Sequence, residues 1–90
     1  MIYIKVYWKH NDDDYPIEIY SELDDGRYEV RKIEIFPNGK AYYAQEDKTT
    51  GDTILGEVPV PLISEINEDI QFEACNITQE EFNAIWSKYV

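Results

Sequence analysis

The sequence predicts an α+β fold, a four- to five-stranded antiparallel meander sheet with a C-terminal amphipathic helix packed on one face. Three observations carry that expectation. Apolar residues at Ile2, Ile4, Val6 and Trp8 alternate with Tyr3, Lys5 and Tyr7, the period of a strand with one buried face. Two hairpin signals, Asp25–Gly26 and Asn38–Gly39, separate the next stretches of alternating pattern. Near the end, Thr78 and Glu81 stand at capping-box spacing ahead of an apolar helical stripe.

The elements follow in order. After the first strand comes the turn-rich "KHNDDDYP", and "PIEIYSEL" is a second strand with Ile17 and Ile19 inward and Glu18, Tyr20 and Glu22 outward. In "RYEVRKIEIF" the parity of Tyr28 and Val30 clashes with that of Ile33 and Ile35, so one extra residue near Arg31–Lys32 predicts a β-bulge. "AYYAQ" is the fourth strand, and the short connections make the first four strands a meander. Glu46 to Pro61 lacks periodicity; a short strand at Thr53–Leu55 is expected, and Pro59 and Pro61 prevent a regular helix. "PLISEIN" predicts a short helical turn with a proline in its first turn, and "IQFEAC" a fifth strand. Thr78 then caps the last helix, Ile77 and Phe82 stand as a hydrophobic staple, and Phe82, Ile85, Trp86 and Tyr89 form its buried stripe.

A chain of 90 residues has room for one hydrophobic core, so a single domain over residues 1–90 is expected. The net charge of −11 repels nucleic acid phosphates and anionic lipid and attracts basic surfaces, so neither nucleic acid nor membrane is expected as a partner. One cysteine, no signal-peptide pattern and no long apolar run make a cytoplasmic protein the simplest expectation.

Catalytic machinery is not evident, and the chain is expected not to be an enzyme. Its lone histidine, His10, ends a strand in a polar loop, and its lone cysteine, Cys75, reads as a small buried hydrophobe. Asp12–Asp14 has neither the mid-loop glycine nor the late glutamate of a calcium loop. No zinc ligand set and no glycine-rich phosphate loop appears, so no metal and no cofactor is expected.

The acids sort into two populations. Glu18, Glu22, Glu29 and Glu34 lie on strands among Lys5, Lys9, Arg31 and Lys32, the pattern of a solvated sheet face. Asp12, Asp13, Asp14, Asp24, Asp25, Glu46, Asp47 and Asp52 lie in loops with few basic neighbours. In a meander the Asp12–Asp14 loop shares one end of the sheet with Asn38–Gly39, while Asp24–Asp25 shares the other with the Glu46–Asp52 loop. Both ends are therefore expected to be electronegative. These loop acids are the expected partner-binding residues, with Tyr20 foremost among the outward tyrosines Tyr3, Tyr7 and Tyr20 as an aromatic anchor.

The stretches "YIKVYWKH", "YPIEIYSELDDGRYEVRKIEIFPNGKAYYA" and "EEFNAIW" resemble a family of small uncharacterised bacterial proteins known only as a domain of unknown function. Proteins of this kind are similar in size and charge to the immunity partners of polymorphic and contact-dependent toxins. The family itself has no assigned activity. Size, acidity and that analogy of class give the expected function, an immunity- or antitoxin-like protein that neutralises a basic, nuclease-type toxin by covering its active site. The alternative is a structural or adaptor module whose acidity serves solubility. Either way the expected assembly is a monomer or weak homodimer, with a basic protein as partner in the first case.

Overall fold

The computed structural model describes residues 1–90. Its strands are β1 (Ile2–Trp8), β2 (Glu18–Leu23), β3 (Glu29–Ile35), β4 (Ala41–Gln45), β5 (Lys48–Thr49) and β6 (Phe72–Asn76). A four-residue helix, α1 (Ile63–Ile66), precedes β6, and α2 (Gln79–Tyr89) closes the chain. The strands form one antiparallel sheet in the order β5-β4-β3-β2-β1-β6. The meander expected for the first four strands runs on into β5, after which the chain crosses a sheet face and lays β6 beside β1. The sheet has six strands rather than four or five. The extra strand is the two-residue β5, too short for alternation to reveal, and Thr53–Leu55 forms no strand. Thr53 is instead buried and donates its hydroxyl to Glu34 Oε1 at 2.6 Å.

Both sheet faces are covered. On one, Tyr3, Tyr20, Ile33, Ile35 and Tyr43 pack around Phe82 of α2, with Ile77, Ile85, Trp86 and Tyr89 against them. On the other, Ile4, Val6, Leu23 and Ala74 pack under Val60 and the α1 residues Ile63 and Ile66. The helix therefore sits on the face of Tyr3 and Tyr20, not on that of Ile4 and Val6. Apolar or aromatic residues at both parities of β1 are what two covered faces require. Tyrosine tolerates burial when its hydroxyl is paired, and Tyr3 donates to Glu22 Oε2 at 2.8 Å.

A register shift in β3 divides its charges between the two faces. Glu22 pairs with Arg31 but Leu23 pairs with Glu29, leaving Val30 as the extra residue just ahead of the predicted bulge position. Arg31, Ile33 and Ile35 consequently share the α2 face, while Glu29, Lys32 and Glu34 turn toward the crossing segment. The strand charges are thus not a solvated face. Lys32 Nζ meets Glu29 at 3.2 Å with both side chains largely covered, and Glu29 also accepts the Gly56 amide. Of the cross-strand pairs expected, Lys5–Glu18 forms at 3.8 Å, whereas Lys9 reaches Glu73 on β6.

The helix start is as expected. Thr78 Oγ1 accepts the Glu81 amide at 3.1 Å and Glu81 Oε1 accepts the Thr78 amide at 3.2 Å. The short α1 also forms where expected, though Pro61 precedes its N-cap, Leu62, rather than lying within its first turn.

Two hairpins share one hydrogen-bond pattern but place their glycine differently. Gly39 N–H donates to Phe36 O and Phe36 N–H to Lys40 O; likewise Arg27 N–H donates to Asp24 O and Asp24 N–H to Tyr28 O. Each is a three-residue loop whose last residue is left-handed. Gly39 takes that place at φ 86°, but in the other loop the glycine comes one residue early and Arg27 takes it at φ 67°. A non-glycine residue there costs about 1–2 kcal/mol. Arg27 offsets that cost by donating Nε to Val60 O at 2.8 Å and Nη2 to Pro61 O at 2.7 Å, which ties the crossing segment to the hairpin. Arg27→Ala, keeping the strain and losing the tie, is expected to lower stability by roughly 2 kcal/mol, and Arg27→Gly by about 1 kcal/mol less. Urea unfolding of the two variants decides it, and equal losses would refute the strain.

Sheet edges invite strand addition unless covered. Here Asn67, just past α1, accepts the Ala74 amide with Oδ1 at 2.7 Å and donates Nδ2 to Ala74 O at 3.0 Å. Its side chain stands in for a neighbouring strand, and the Phe72 amide is occupied by Asp69 O. Asn67→Ala is expected to cost about 1–3 kcal/mol and to raise self-association. Light scattering of the purified variant checks this, and an unchanged mass at high concentration would count against the edge role.

Candidate functional site

The sheet places the loop acids at its two ends. Asp12–Asp14 follow β1 and lie beside the β3–β4 turn, where Asp13, Asp14, Glu34, Asn38 and Asp52 border a cleft of about 580 Å³. Asp52 had been expected at the opposite end. The two-residue β5 carries the chain back along the sheet and delivers it here. At the far end the Asp24–Asp25 turn joins β2 to β3, and Glu46–Asp47 turn β4 into β5. Glu46 and Asp47 line a second cleft of about 610 Å³ with Glu22 and Arg31.

The Asp12–Asp14 loop is held by local bonds. Asp12 N–H donates to His10 Nδ1 at 3.0 Å, so the ring carries its proton on Nε2, which donates to Pro16 O at 2.7 Å. Asp12 Oδ1 accepts the Asp14 amide at 2.9 Å. Trp8 lies 4.7 Å from His10 and 5.4 Å from Tyr15, centroid to centroid. At the other end Asp24 Oδ1 accepts the amides of Gly26 and Tyr28, both at 2.9 Å. A loop ordered before binding loses less entropy when a partner docks.

None of the eight loop acids forms an ion pair. The chain's four pairs are Lys5–Glu18, Lys9–Glu73, Arg31–Glu22 and Lys32–Glu29, which leaves 15 of its 19 acids without a cation (19 − 4). These loop carboxylates face water, Asp24 alone being half-buried.

The aromatic anchors differ from those expected. Tyr20 is 8% exposed, so it serves the core rather than a partner, and Tyr3 is equally buried. Tyr7 is exposed. Tyr15 and Tyr28, 50% and 45% exposed, stand in the two acidic loops themselves. Their sequence signal was position: each adjoins a turn, where parity says nothing about burial. Tyr15 joins the cleft of Asp13 and Asp14, and Tyr28 follows the Asp24 turn.

A charged cluster lies beneath α2. Arg31 grips Glu22 with Nε to Oε1 at 2.7 Å and Nη2 to Oε2 at 2.9 Å, and reaches Asn83 Oδ1 at 3.1 Å. Its guanidinium lies 4.8 Å from the Phe82 ring centroid and 4.9 Å from that of Trp86. Arg31's hydrogen bonds hold the Glu22 carboxyl below its ordinary value against the opposing push of burial, with Tyr3 assisting. Burial, and then Glu22 itself, push the Tyr3 phenol up. No buried side-chain polar atom here is left without a partner, the mark of a structural cluster.

Cys75 is exposed on edge strand β6 rather than buried, because its parity is opposite to that of Ala74, which faces α1. No helix is long and apolar enough to cross a membrane.

Fold and surface together define an acidic α+β domain built on one antiparallel sheet, its unpaired carboxylates gathered at the sheet's two ends. The chain belongs to the family described as Domain of unknown function (DUF6881), whose model matches residues 2–90. Neither a curated protein nor a solved structure gives a match.

Proposed function

We propose that this chain is a non-catalytic binding protein that covers a basic face of a partner protein. The observation that carries the reading is the pairing, at each sheet end, of unneutralised carboxylates with an exposed tyrosine: Asp12–Asp14 with Tyr15, and Asp24–Asp25 with Tyr28. Complementary fields raise association rates by orders of magnitude at low salt, and tyrosine supplies contact area at small entropic cost. Immunity against a basic, nuclease-type toxin is the setting such blockade suits, with the inhibitor acting in the cytoplasm where the toxin's target lies.

The test is capture of a basic partner by the tagged chain at about 0.05 M and 0.5 M salt, between which the screening length falls severalfold. A stoichiometric basic protein, toxic when expressed alone, should be retained at low salt. It should be lost when Asp12, Asp13, Asp14, Glu46 and Asp47 are all changed to lysine. Retention indifferent to both salt and charge reversal would leave acidity to solubility and favour an adaptor module.

A further inference from the structure

A third cleft, of about 500 Å³, lies outside both acidic ends, between α1 and the β6 side of the sheet. Val6, Ile66 and Phe72 give it an apolar lining and Pro61 one wall, while Glu65, Glu68 and Asp69 stand around it. All three carboxylates are exposed, and none of the chain's lysines or arginines pairs with them. Beside the lining residues along the chain, Leu62 is 51% and Ile70 88% exposed. An apolar lining with a rim of unpaired carboxylates matches a partner that is both apolar and cationic. Leu62 and Ile70 add exposed apolar surface adjoining the lining residues in the chain.

The walls are fixed in advance. Asn67 binds both backbone groups of Ala74, the Asp69 carbonyl accepts the Phe72 amide at 3.0 Å, and Asp69 Oδ1 accepts the Gln71 amide at 2.9 Å. Those bonds leave Asp69 Oδ2 and the carboxylates of Glu65 and Glu68 open to an incoming cation. Lysine and arginine match such a site because they lay an aliphatic stem on apolar surface and keep the charged head at its rim. An anion would meet three like charges, and a neutral apolar ligand would leave the rim unused.

We propose that this cleft docks a lysine or arginine side chain from an apolar-basic segment of the partner protein, with Leu62 and Ile70 taking the segment's apolar residues. The proposal rests on the basic-partner reading above and assigns it a surface that the acidic loops do not include.

The probe is a short synthetic peptide of alternating leucine and lysine, added to the isotope-labelled full chain while backbone amide shifts are followed. Shifts at Val6 and from Glu65 to Phe72 are expected, and a matched leucine–glutamine peptide should produce none. Glu65→Gln, Glu68→Gln and Asp69→Asn together should weaken binding by roughly tenfold or more. The asparagine keeps the acceptor for the Gln71 amide, and an unchanged urea midpoint certifies the fold. Equal affinity for the triple variant, or no shift at all, overturns the cleft. Shifts confined to Asp12–Asp14 or Glu46–Asp47 overturn it too but leave the basic-partner reading standing, since salt-sensitive capture tests that separately.

Discussion

Phe82→Ala is expected to remove about 3–5 kcal/mol of stability, a large share of what a domain of this size has. Phe82 is fully buried, the one residue of α2 with no exposure at all. It touches the sheet through Tyr3, with centroids 5.4 Å apart, stacks on Trp86 at 6.1 Å, and floors the Arg31 guanidinium. Truncation therefore opens a cavity at the centre of the helix-sheet interface and uncovers the charged cluster beside it. Collapse of α2 onto Ile33 is limited because the chain just ahead of the helix is tied to β1, the Ile77 amide donating to Tyr3 O at 2.9 Å. Thermal unfolding reads the loss directly. A shift equal to that of Ile85→Ala, whose side chain is only half-buried, would mean Phe82 is not the keystone.

Glu22→Ala is expected to cost about 3 kcal/mol near pH 7, because it leaves the Arg31 guanidinium partly buried without its carboxylate. Glu22's side chain is 9% exposed and Arg31's 22%, so solvent screens the pair only in part. The pair also sets a pH dependence. Arg31 lowers the Glu22 carboxyl in the folded chain, so the stabilisation is complete above the unfolded pKa of about 4.3 and is lost as pH falls through the folded value. Glu22→Gln keeps an acceptor for Tyr3 but has no charge to lose. The stability gap between wild type and Glu22→Gln should therefore narrow on going from near pH 7 to near pH 3. A gap of constant size in urea unfolding at the two pH values would show that charge contributes nothing here.

What could be read from sequence was what local chemistry decides. The cap of α2 follows from Thr78 and Glu81 and its stripe from the spacing of Phe82, Ile85, Trp86 and Tyr89, and both hairpins sit where Asp25–Gly26 and Asn38–Gly39 place them. The misreadings have nonlocal causes. Tyr3 and Tyr20 looked outward because tyrosine is amphipathic; only α2 and the Tyr3–Glu22 bond decide that their face is interior. Arg27's left-handed backbone is hidden because its support, the Val60 and Pro61 carbonyls, lies far along the chain. Of the site, the acids of the loops were legible from composition and turn chemistry. Asp52 was misplaced because β5 is too short to announce itself, and the Glu65–Asp69 rim needs the docking of α1 against β6 before it becomes a cleft.

The order of the strands has a consequence for how the chain is made. Although β1 comes before every other strand of this sheet in the chain, it is interior to the sheet, and its outer neighbour is β6, with Ile4 opposite Asn76. During translation β1 can pair with β2 early, but its other side must wait until β6 has been made. Until then Ile4 and Val6 lack both Ala74 and the α1 residues that cover them. Between the making of β1 and of β6 the nascent chain thus carries an open hydrogen-bonding ladder beside an uncovered apolar face. Pairings of such long sequence separation slow folding relative to local hairpins, because the loop between them must close before the contacts form.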